Sequence, residues 1–220
     1  MCGRFSSFDP ESDKGINGLV DEAKALFGKM DTPYKLKTEG DVYPTDVVPI
    51  LLESDGGKAS DNGHGALKLR CEAMYWGYPG YPDRFRPNAK PRPLINAKGE
   101  TALKLKTWKE STEHRRCVVP TSGFYEWSHH DPKKKTKYLF TVPSEKYLLL
   151  GAIYKEIKSP DGVPFPHFSI ITVAANDSMI KIHNRMPLIL EKKDLPLWFS
   201  PKGFEGILEK RDIMLEKTAM

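Results

Sequence analysis

The sequence lacks several patterns that would assign it directly to a functional class. No run of about 18 apolar residues is present, and no apolar stretch follows a basic one near the start, so the sequence predicts neither a membrane span nor a signal peptide. Its three cysteines form no CxxC pair and its six histidines show no HExxH spacing, which argues against a zinc site. No glycine-rich phosphate loop occurs. We therefore expect a cytoplasmic protein without a metal ion or an organic cofactor.

The composition is sufficient for a sizeable core. With 220 residues and 39% hydrophobic content, we expect one domain over 1–220. Apolar residues at helical spacing predict a first helix over 9–30. Later patterns predict strands at 66–76, 117–119, 124–127, 137–142, 147–154 and 167–173, and helices at 101–109, 176–182, 192–198 and 204–216. Strands interleaved with helices, without regular βαβ alternation, predict an α+β fold.

Positive charge is concentrated in one segment of the chain. Residues 84–116 hold ten Lys or Arg and three Glu, an excess of +7, although the whole chain carries only +5. Trp76, Tyr78 and Trp108 lie in or near this segment. Cations mixed with aromatic rings are typical of a groove for single-stranded nucleic acid. A solvated lysine-rich surface produces the same pattern, as we expect for the hairpin loop at 133–137, so this segment alone leaves both interpretations open.

The N-terminal residues suggest a reactive terminus. Cys2 follows Met1 directly, and methionine is normally removed when the next side chain is as small as cysteine. Removal would leave an α-amine and a thiol on one residue, with unperturbed pKa values of about 8 and about 8.5. The amine can condense with an aldehyde, and the thiolate can then close a five-membered thiazolidine. Taken alone, Cys2 could equally be an ordinary untethered terminal residue.

Three further segments carry candidate catalytic side chains. Asn96 lies in a polar turn before a predicted helix. Glu126 stands among three aromatic residues, where desolvation would raise its pKa toward the range of an acid–base catalyst. His183 and Arg185 are two positions apart and would face the same side of an extended segment. Each also has an ordinary structural interpretation, as a turn amide, an edge-strand glutamate or a core histidine.

Together these segments resemble one family, the SRAP proteins, which are SOS response-associated peptidases also described as abasic-site processing proteins. The similar segments are colinear from the first residue to beyond residue 187. They comprise residues 1–5, 76–77, 96–101, 115–120 with 123–127, 170–172 and 182–187. Six colinear segments make a chance match implausible.

The resemblance implies a single α+β domain with a mixed, bifurcated β-sheet surrounded by helices. It also implies a sensor of abasic sites in single-stranded DNA, acting in the response to DNA damage. After removal of Met1, Cys2 would form a thiazolidine DNA–protein crosslink with the ring-opened sugar, and AP lyase and self-processing peptidase activities are implied as well. Asn96 would position the cysteine or the sugar, Glu126 would move protons, and His183 would act on the sugar hydroxyl or in reversal of the crosslink.

The resemblance also implies how DNA is bound. Arg4, Lys98 and Arg185 would bind phosphates, while neighbouring bases would be held by Pro44, Trp76 and Trp127. The family usually has arginine and serine where this chain has Lys98 and Gly99, and lysine keeps the charge but loses the bidentate fork of arginine. The implied partner is single-stranded DNA with abasic sites, bound by a monomer that is associated with the nucleoid and not with a membrane.

Two other functions remain open from the residues themselves. A terminal cysteine with Asn and His partners also suits acyl transfer, as in an N-terminal-nucleophile thiol peptidase or amidohydrolase. A basic groove lined by aromatic rings would distinguish the DNA sensor, because an amide substrate does not need one. The third alternative is a single-strand binding module without chemistry, for which Cys2→Ala would leave binding unchanged.

Overall fold

Strands outnumber helices in the part of the chain that the structure describes, which comprises residues 2–54, 67–82, 85–86, 88–128, 135–143, 145–158 and 164–220 of this computed structural model. The strands are β1 (Phe5–Ser6), β2 (Asp41–Val42), β3 (Val47–Glu53), β4 (Leu69–Trp76), β5 (Asn96–Lys98), β6 (Arg116–Thr121), β7 (Gly123–Trp127), β8 (Lys137–Thr141), β9 (Leu148–Lys158), β10 (Pro164–Ala174), β11 (Arg185–Pro187), β12 (Ile189–Leu190) and β13 (Glu216–Ala219). The helices are α1 (Lys14–Phe27), α2 (Gly99–Ala102), α3 (Lys109–His114) and α4 (Leu195–Phe199), with short 3-10 helices at Pro10–Ser12, Lys192–Asp194 and Phe204–Glu209. The predicted α+β class is confirmed.

Five strands close into a barrel-like ring. The order around the ring is β3, β4, β10, β9, β6 and back to β3, and β4 with β10 is its parallel pair. The ring encloses fully buried side chains such as Ile50, Leu150 and Phe168, so hydrophobic burial holds it closed. Strand β10 additionally pairs with β5 in parallel and with β11 antiparallel. This strand therefore brings two of the candidate site segments, 96–101 and 182–187, to one end of the ring.

A second, antiparallel sheet carries the N-terminus. Its strand order is β13, β8, β7, β1, β2. Phe5 lies opposite Val42 on one side and Phe124 on the other, and all three are buried. Side chains alternate between the faces of a strand, so Glu126 shares the buried face with Phe124, whereas Trp127 belongs to the opposite face. The register of this sheet thus aims Glu126 into the protein interior.

Helix predictions were less accurate than strand predictions. The N-terminal helix is confirmed as α1, whose first turn is capped by the Asp13 carboxylate through the N–H groups of Gly15 and Ile16. The helix predicted at 101–109 is wrong, because α2 ends at Ala102 and α3 begins only at Lys109. Residues 176–182 form turns. The helix predicted over 204–216 is also wrong, since a 3-10 helix ends at Glu209 and β13 pairs with β8.

Residues 133 and 134 of the predicted hairpin loop lie outside the described residues, whereas Lys137 begins β8. In the described residues, no helix combines the length and the apolar character needed to cross a membrane.

Candidate functional site

Cys2 is held inside the protein by a side chain distant in sequence. Its residue is only 1% exposed, and the Asn96 amide Nδ2 donates a hydrogen bond to the Cys2 carbonyl oxygen at 2.9 Å. The amide Oδ1 of Asn96 is buried and has no hydrogen-bond partner among the described residues. Asn96 therefore fixes the backbone of the terminal residue and retains an acceptor beside it.

The thiol of Cys2 lies in a poor environment for a negative charge. Burial, and then the nearby charge of Glu126, raise the pKa of the Cys2 thiol to about 12. The thiol points toward the Arg4 carbonyl oxygen, at 3.8 Å. A thiol in this environment stays protonated at neutral pH, so it needs a proton acceptor before it can attack.

Glu126 is buried, as the aromatic residues around it in the sequence suggested. It is 4% exposed on β7, and its Oε1 accepts a weak hydrogen bond from the Trp127 N–H at 3.4 Å. Its charge contributes to the raised pKa of the Cys2 thiol, so the carboxylate lies within electrostatic range of the candidate nucleophile. The structure therefore brings Cys2, Asn96 and Glu126 together.

His183 lies directly before β11, with its ring turned toward the backbone of Arg185. The Arg185 N–H donates to His183 Nδ1 at 2.9 Å, and the Arg185 carbonyl oxygen is 3.2 Å from the same nitrogen. When Nδ1 accepts from the Arg185 N–H, the proton of the neutral ring resides on Nε2. The backbone of Arg185 thereby orients the ring of His183.

Arg185 is engaged by a carboxylate in this structure. Its guanidinium makes a two-pronged ion pair with Glu100, with Nη2 to Oε2 at 2.9 Å, and Nη2 also donates to the Thr172 carbonyl oxygen at 2.5 Å. The hydrogen bond from Arg185 lowers the pKa of Glu100 below its ordinary value. Since a carboxylate fills the fork that a phosphate would use, Arg185 must exchange Glu100 for a phosphate in order to bind DNA in this way.

Lys98 and Gly99 differ from the pattern that the resemblance suggests, and the structure explains the glycine. Lys98 is exposed at the end of β5, opposite Thr172 on β10. Gly99 is buried, and a Cβ built on it would lie 2.1 Å from the backbone carbonyl oxygen of Leu208. Only glycine permits this close approach. The 3-10 helix at Phe204–Glu209 therefore packs its backbone directly against Gly99, next to the candidate phosphate-binding residue Lys98.

We expect Gly99→Ser to destabilise the protein by about 2 kcal/mol, because backbone has to move to admit the side chain. For a chain of this size the midpoint of thermal unfolding should fall by about 4 to 8 °C. Gly206→Ser is the matched control, since a Cβ there meets no atom within 4 Å. Thermal melts of the two variants beside the parent measure the effect, and equal midpoints for all three would contradict the packing argument.

Arg4 lies between two aromatic rings on the second sheet. The carbon of its guanidinium is 4.3 Å from the centre of the Tyr43 ring and 5.0 Å from that of Trp127, and Nη1 is 3.7 Å from the Asp41 carboxylate. Its Nε is buried and has no hydrogen-bond partner among the described residues. Arg4 and Trp127, which were predicted separately, therefore form one contact cluster.

Three further residues of the cluster around Arg4 were not predicted from the sequence. Asp41 and Tyr43 were not considered, and Lys137 was assigned to a solvated loop. Lys137 Nζ is 3.3 Å from Asp41 Oδ2 and 3.8 Å from the centre of the Tyr125 ring. These neighbours follow from the strand pairing, which sets Arg4 beside Tyr43 and Trp127 beside Lys137.

Trp76 is not part of the cluster around Arg4. It is 0% exposed, its ring packs 4.9 Å from the ring of Phe5, and its Nε1–H donates to the Ile95 carbonyl oxygen at 3.1 Å. The base-stacking role predicted for Trp76 is therefore corrected to core packing, because neither face of its ring is open to a ligand. Pro44, in contrast, is half-buried in a turn beside the Arg4 cluster.

A large groove lies elsewhere on the protein. It has a volume of about 620 Å³ and is lined by residues that include Tyr147, Leu149, Ile189, Lys192 and Met214. None of the candidate site residues is among its described lining residues. Within the described part of the chain, no three His, Cys, Asp or Glu side chains form a group that could hold a metal ion.

Comparison with known proteins relates nearly the whole chain to one family. The family described as SOS response associated peptidase (SRAP) matches residues 1–217. Abasic site processing protein YoaM of Bacillus subtilis is 31% identical over 203 residues, which cover 92% of this chain and 81% of that protein. YoqW of the same organism is 28% identical over 208 residues, covering 92% and 82%. YedK of Escherichia coli is 28% identical over 201 residues, covering 90% and 79%.

Solved structures share the fold. A protein from Bacteroides thetaiotaomicron has a TM-score of 0.74 at 20% identity, covering 100% of this chain and 92% of that one. A phage-related protein from Bordetella bronchiseptica has a TM-score of 0.62 at 21% identity, covering 100% and 94%. At these identities the similarity concerns the architecture.

Proposed function

The chain belongs to the SRAP family, and from this premise we propose that it recognises abasic sites in single-stranded DNA and captures them covalently through Cys2. The observation that best supports this function is the placement of Cys2. Its carbonyl is held by Asn96, 94 positions away, and its thiol lies within the field of the buried Glu126. The Asn96 amide and the Glu126 carboxylate thus both act on Cys2, which becomes the terminal residue once Met1 is removed.

The chemistry requires an aldehyde, which a ring-opened abasic sugar provides. The free amine of Cys2 attacks the sugar C1′ aldehyde carbon, and loss of one water molecule gives an imine. The Cys2 sulfur then adds to the imine carbon while the imine nitrogen gains a proton, which closes the thiazolidine ring. The net product is DNA joined to protein with release of one water, and the ring closure is favoured because both nucleophiles belong to one residue.

Glu126 suits the proton transfers in this sequence. Since the thiol has a pKa of about 12, it must lose its proton as it attacks, and the Glu126 carboxylate is the nearby negative charge. The same carboxyl group can return a proton to the departing water. Asn96 Oδ1 can accept a hydrogen bond from the Cys2 amine or from a sugar hydroxyl.

His183 suits a later or reverse step. A neutral histidine ring donates a hydrogen bond from one nitrogen and accepts one at the other, which suits contact with the sugar hydroxyl. Strand cleavage from the imine, an AP lyase reaction, would need such a group. Removal of Met1 by the protein itself would be a separate peptidase activity at the same residue.

The DNA strand would lie over cations that flank Cys2. Arg4 is on the second sheet, while Lys98 and Arg185 are on β5 and β11 at the end of the barrel-like ring. Lys98 is exposed, and Arg185 becomes available when Glu100 gives way to a phosphate. We propose that the protein acts on DNA as a monomer without a cofactor, in the cytoplasm at the nucleoid.

The test of the proposed function is formation of a denaturation-resistant adduct. Protein shown by intact mass to lack Met1 is mixed with an abasic oligonucleotide or with the intact strand, and each mixture is analysed on a denaturing gel and by mass. We expect an adduct with the abasic strand alone, at the summed mass minus one water. Protein that retains Met1 should form none, because its Cys2 amine is part of a peptide bond.

The outcomes also separate the alternative functions. An abasic lane without adduct, from protein that lacks Met1, would contradict the proposal. Turnover of an amide substrate with DNA binding absent would favour the N-terminal-nucleophile amidohydrolase, and tight binding without any adduct would favour a plain single-strand binding module.

A further inference from the structure

We propose that Tyr43 is a base-stacking residue, which binds an unpaired nucleobase next to the abasic position. This inference rests on the proposed DNA substrate. Stacking on Tyr43 would contribute to the affinity for DNA without depending on the base sequence. The ligand class is a nucleobase with its face open, as found in single-stranded DNA.

Tyr43 is a large aromatic residue that is exposed among cations. It is 41% exposed, with the Arg4 guanidinium carbon 4.3 Å and Lys37 Nζ 5.2 Å from the centre of its ring. Aromatic rings beside Lys and Arg are the usual components of a single-strand binding surface, because rings stack on bases while the cations bind phosphates. Because Arg4 and Lys37 lie over the ring of Tyr43, a base that stacks on a covered face displaces a cation, which can then bind a phosphate.

The backbone that carries Tyr43 is rigid and strained. The Tyr43 N–H donates to Asp46 Oδ2 at 2.9 Å, and the Asp46 N–H donates to the Tyr43 carbonyl oxygen at 3.0 Å. Pro44 and Thr45 occupy the two central positions of this type II turn, and Thr45 has a φ of 79°, where glycine is normally required. Strained conformations of non-glycine residues concentrate at functional sites, and Thr45 lies in the turn that carries Tyr43.

The turn is also fixed to the barrel-like ring. The Thr45 N–H donates to the Trp76 carbonyl oxygen, and the Trp76 N–H donates to the Asp46 carbonyl oxygen, both at 2.9 Å. Two hydrogen bonds to β4 and two within the turn hold the Tyr43 backbone in place before any ligand arrives. A pre-organised ring loses little conformational entropy on binding.

The strand register places Tyr43 near the N-terminal segment that carries the nucleophile. Because Phe5 pairs with Val42, Tyr43 lies across from Arg4, which is two residues from Cys2. Arg4 also contacts Trp127 on its other neighbouring strand. A base that stacks on Tyr43 would therefore belong to a nucleotide adjacent to the abasic sugar held at Cys2.

The experiment measures non-covalent binding of intact single-stranded DNA by fluorescence anisotropy, which requires no crosslink. We expect Tyr43→Ala to weaken binding by about tenfold, since stacking contributes about 1 to 3 kcal/mol per base and 1.4 kcal/mol corresponds to tenfold. Tyr43→Phe keeps the ring and should bind within about twofold of the parent. Tyr81→Ala is the matched control, because Tyr81 is 65% exposed outside this cluster, where its hydroxyl pairs with Thr107.

A strand built entirely of stable abasic analogues provides the decisive comparison. On this strand, which has phosphates but no bases, Tyr43→Ala should bind as well as the parent, whereas a variant that merely perturbs the fold would still be weaker. The inference is overturned if Tyr43→Ala binds intact DNA like the parent, if Tyr43→Phe loses as much as Tyr43→Ala, or if the loss persists without bases. Failure of every protein to form adducts would instead contradict the proposed function and leave these comparisons intact.

Discussion

Cys2→Ser is expected to eliminate the stable adduct with abasic DNA, with yield falling below about 1% of that of the parent. Serine is small, so Met1 should still be removed and the terminal amine should still form an imine. The serine hydroxyl is a far weaker nucleophile than a thiol, so the ring does not close and the imine hydrolyses on denaturation. Denaturing gels of the variant with an abasic oligonucleotide measure the loss.

Trapping with borohydride distinguishes the two steps. The reductant converts the imine of Cys2→Ser into a stable amine, so an adduct should reappear at the corresponding mass. Cys71→Ser is the matched control, because Cys71 is another buried free cysteine, on β4, and its loss should leave the adduct yield near that of the parent. A stable adduct from Cys2→Ser without reductant would show that the sulfur of Cys2 is not the linking atom.

Glu126→Gln is expected to slow crosslinking by about 10²-fold while binding of intact single-stranded DNA is retained. The direction of the change in crosslinking rate distinguishes two opposite effects of Glu126 on the thiol. Its negative charge helps to raise the pKa of Cys2 to about 12, so neutral glutamine should lower that pKa and increase the thiolate fraction. Loss of charge alone would therefore accelerate ring closure, and a slower reaction identifies proton transfer as the larger contribution.

Single-turnover crosslinking rates from pH 5 to 9 test this assignment. Glu126→Gln should react more slowly than the parent at every pH in this range. Glu156→Gln removes an exposed strand carboxylate on β9 and should react like the parent. If Glu126→Gln crosslinks at the parent rate throughout the range, Glu126 is not the proton shuttle.

The predictability of the fold differed between strands and helices for a physical reason. Runs such as 117–119 and 147–154 are apolar because their strands are buried in the ring, and this pattern survives in the sequence. The C-terminal strand β13 is exposed along its whole length, so it carries no alternation, and pairing with β8 alone defines it. Closure of the ring depends on contacts between distant segments, which local patterns do not contain.

The candidate site was likewise only partly predictable from the sequence. Cys2, Asn96 and Glu126 were identified from the sequence, and the structure brings them together. Tyr43 was missed because its importance arises from the strand pairing that sets it across from Arg4. Glu100 was present in the segment 96–101, but the sequence contains no sign that its carboxylate pairs with Arg185, 85 positions later.

The burial of Cys2 has a consequence for the selectivity of the reaction. A free 1,2-aminothiol reacts with any small aldehyde in solution, and a cell contains many such compounds. With Met1 attached, Cys2 is 1% exposed and burial raises the pKa of its thiol, so the thiol is mostly protonated at neutral pH and is screened from chance collisions. Under the proposed function, metabolic aldehydes should therefore react slowly with Cys2, which would preserve this residue for a sugar delivered on a strand of DNA.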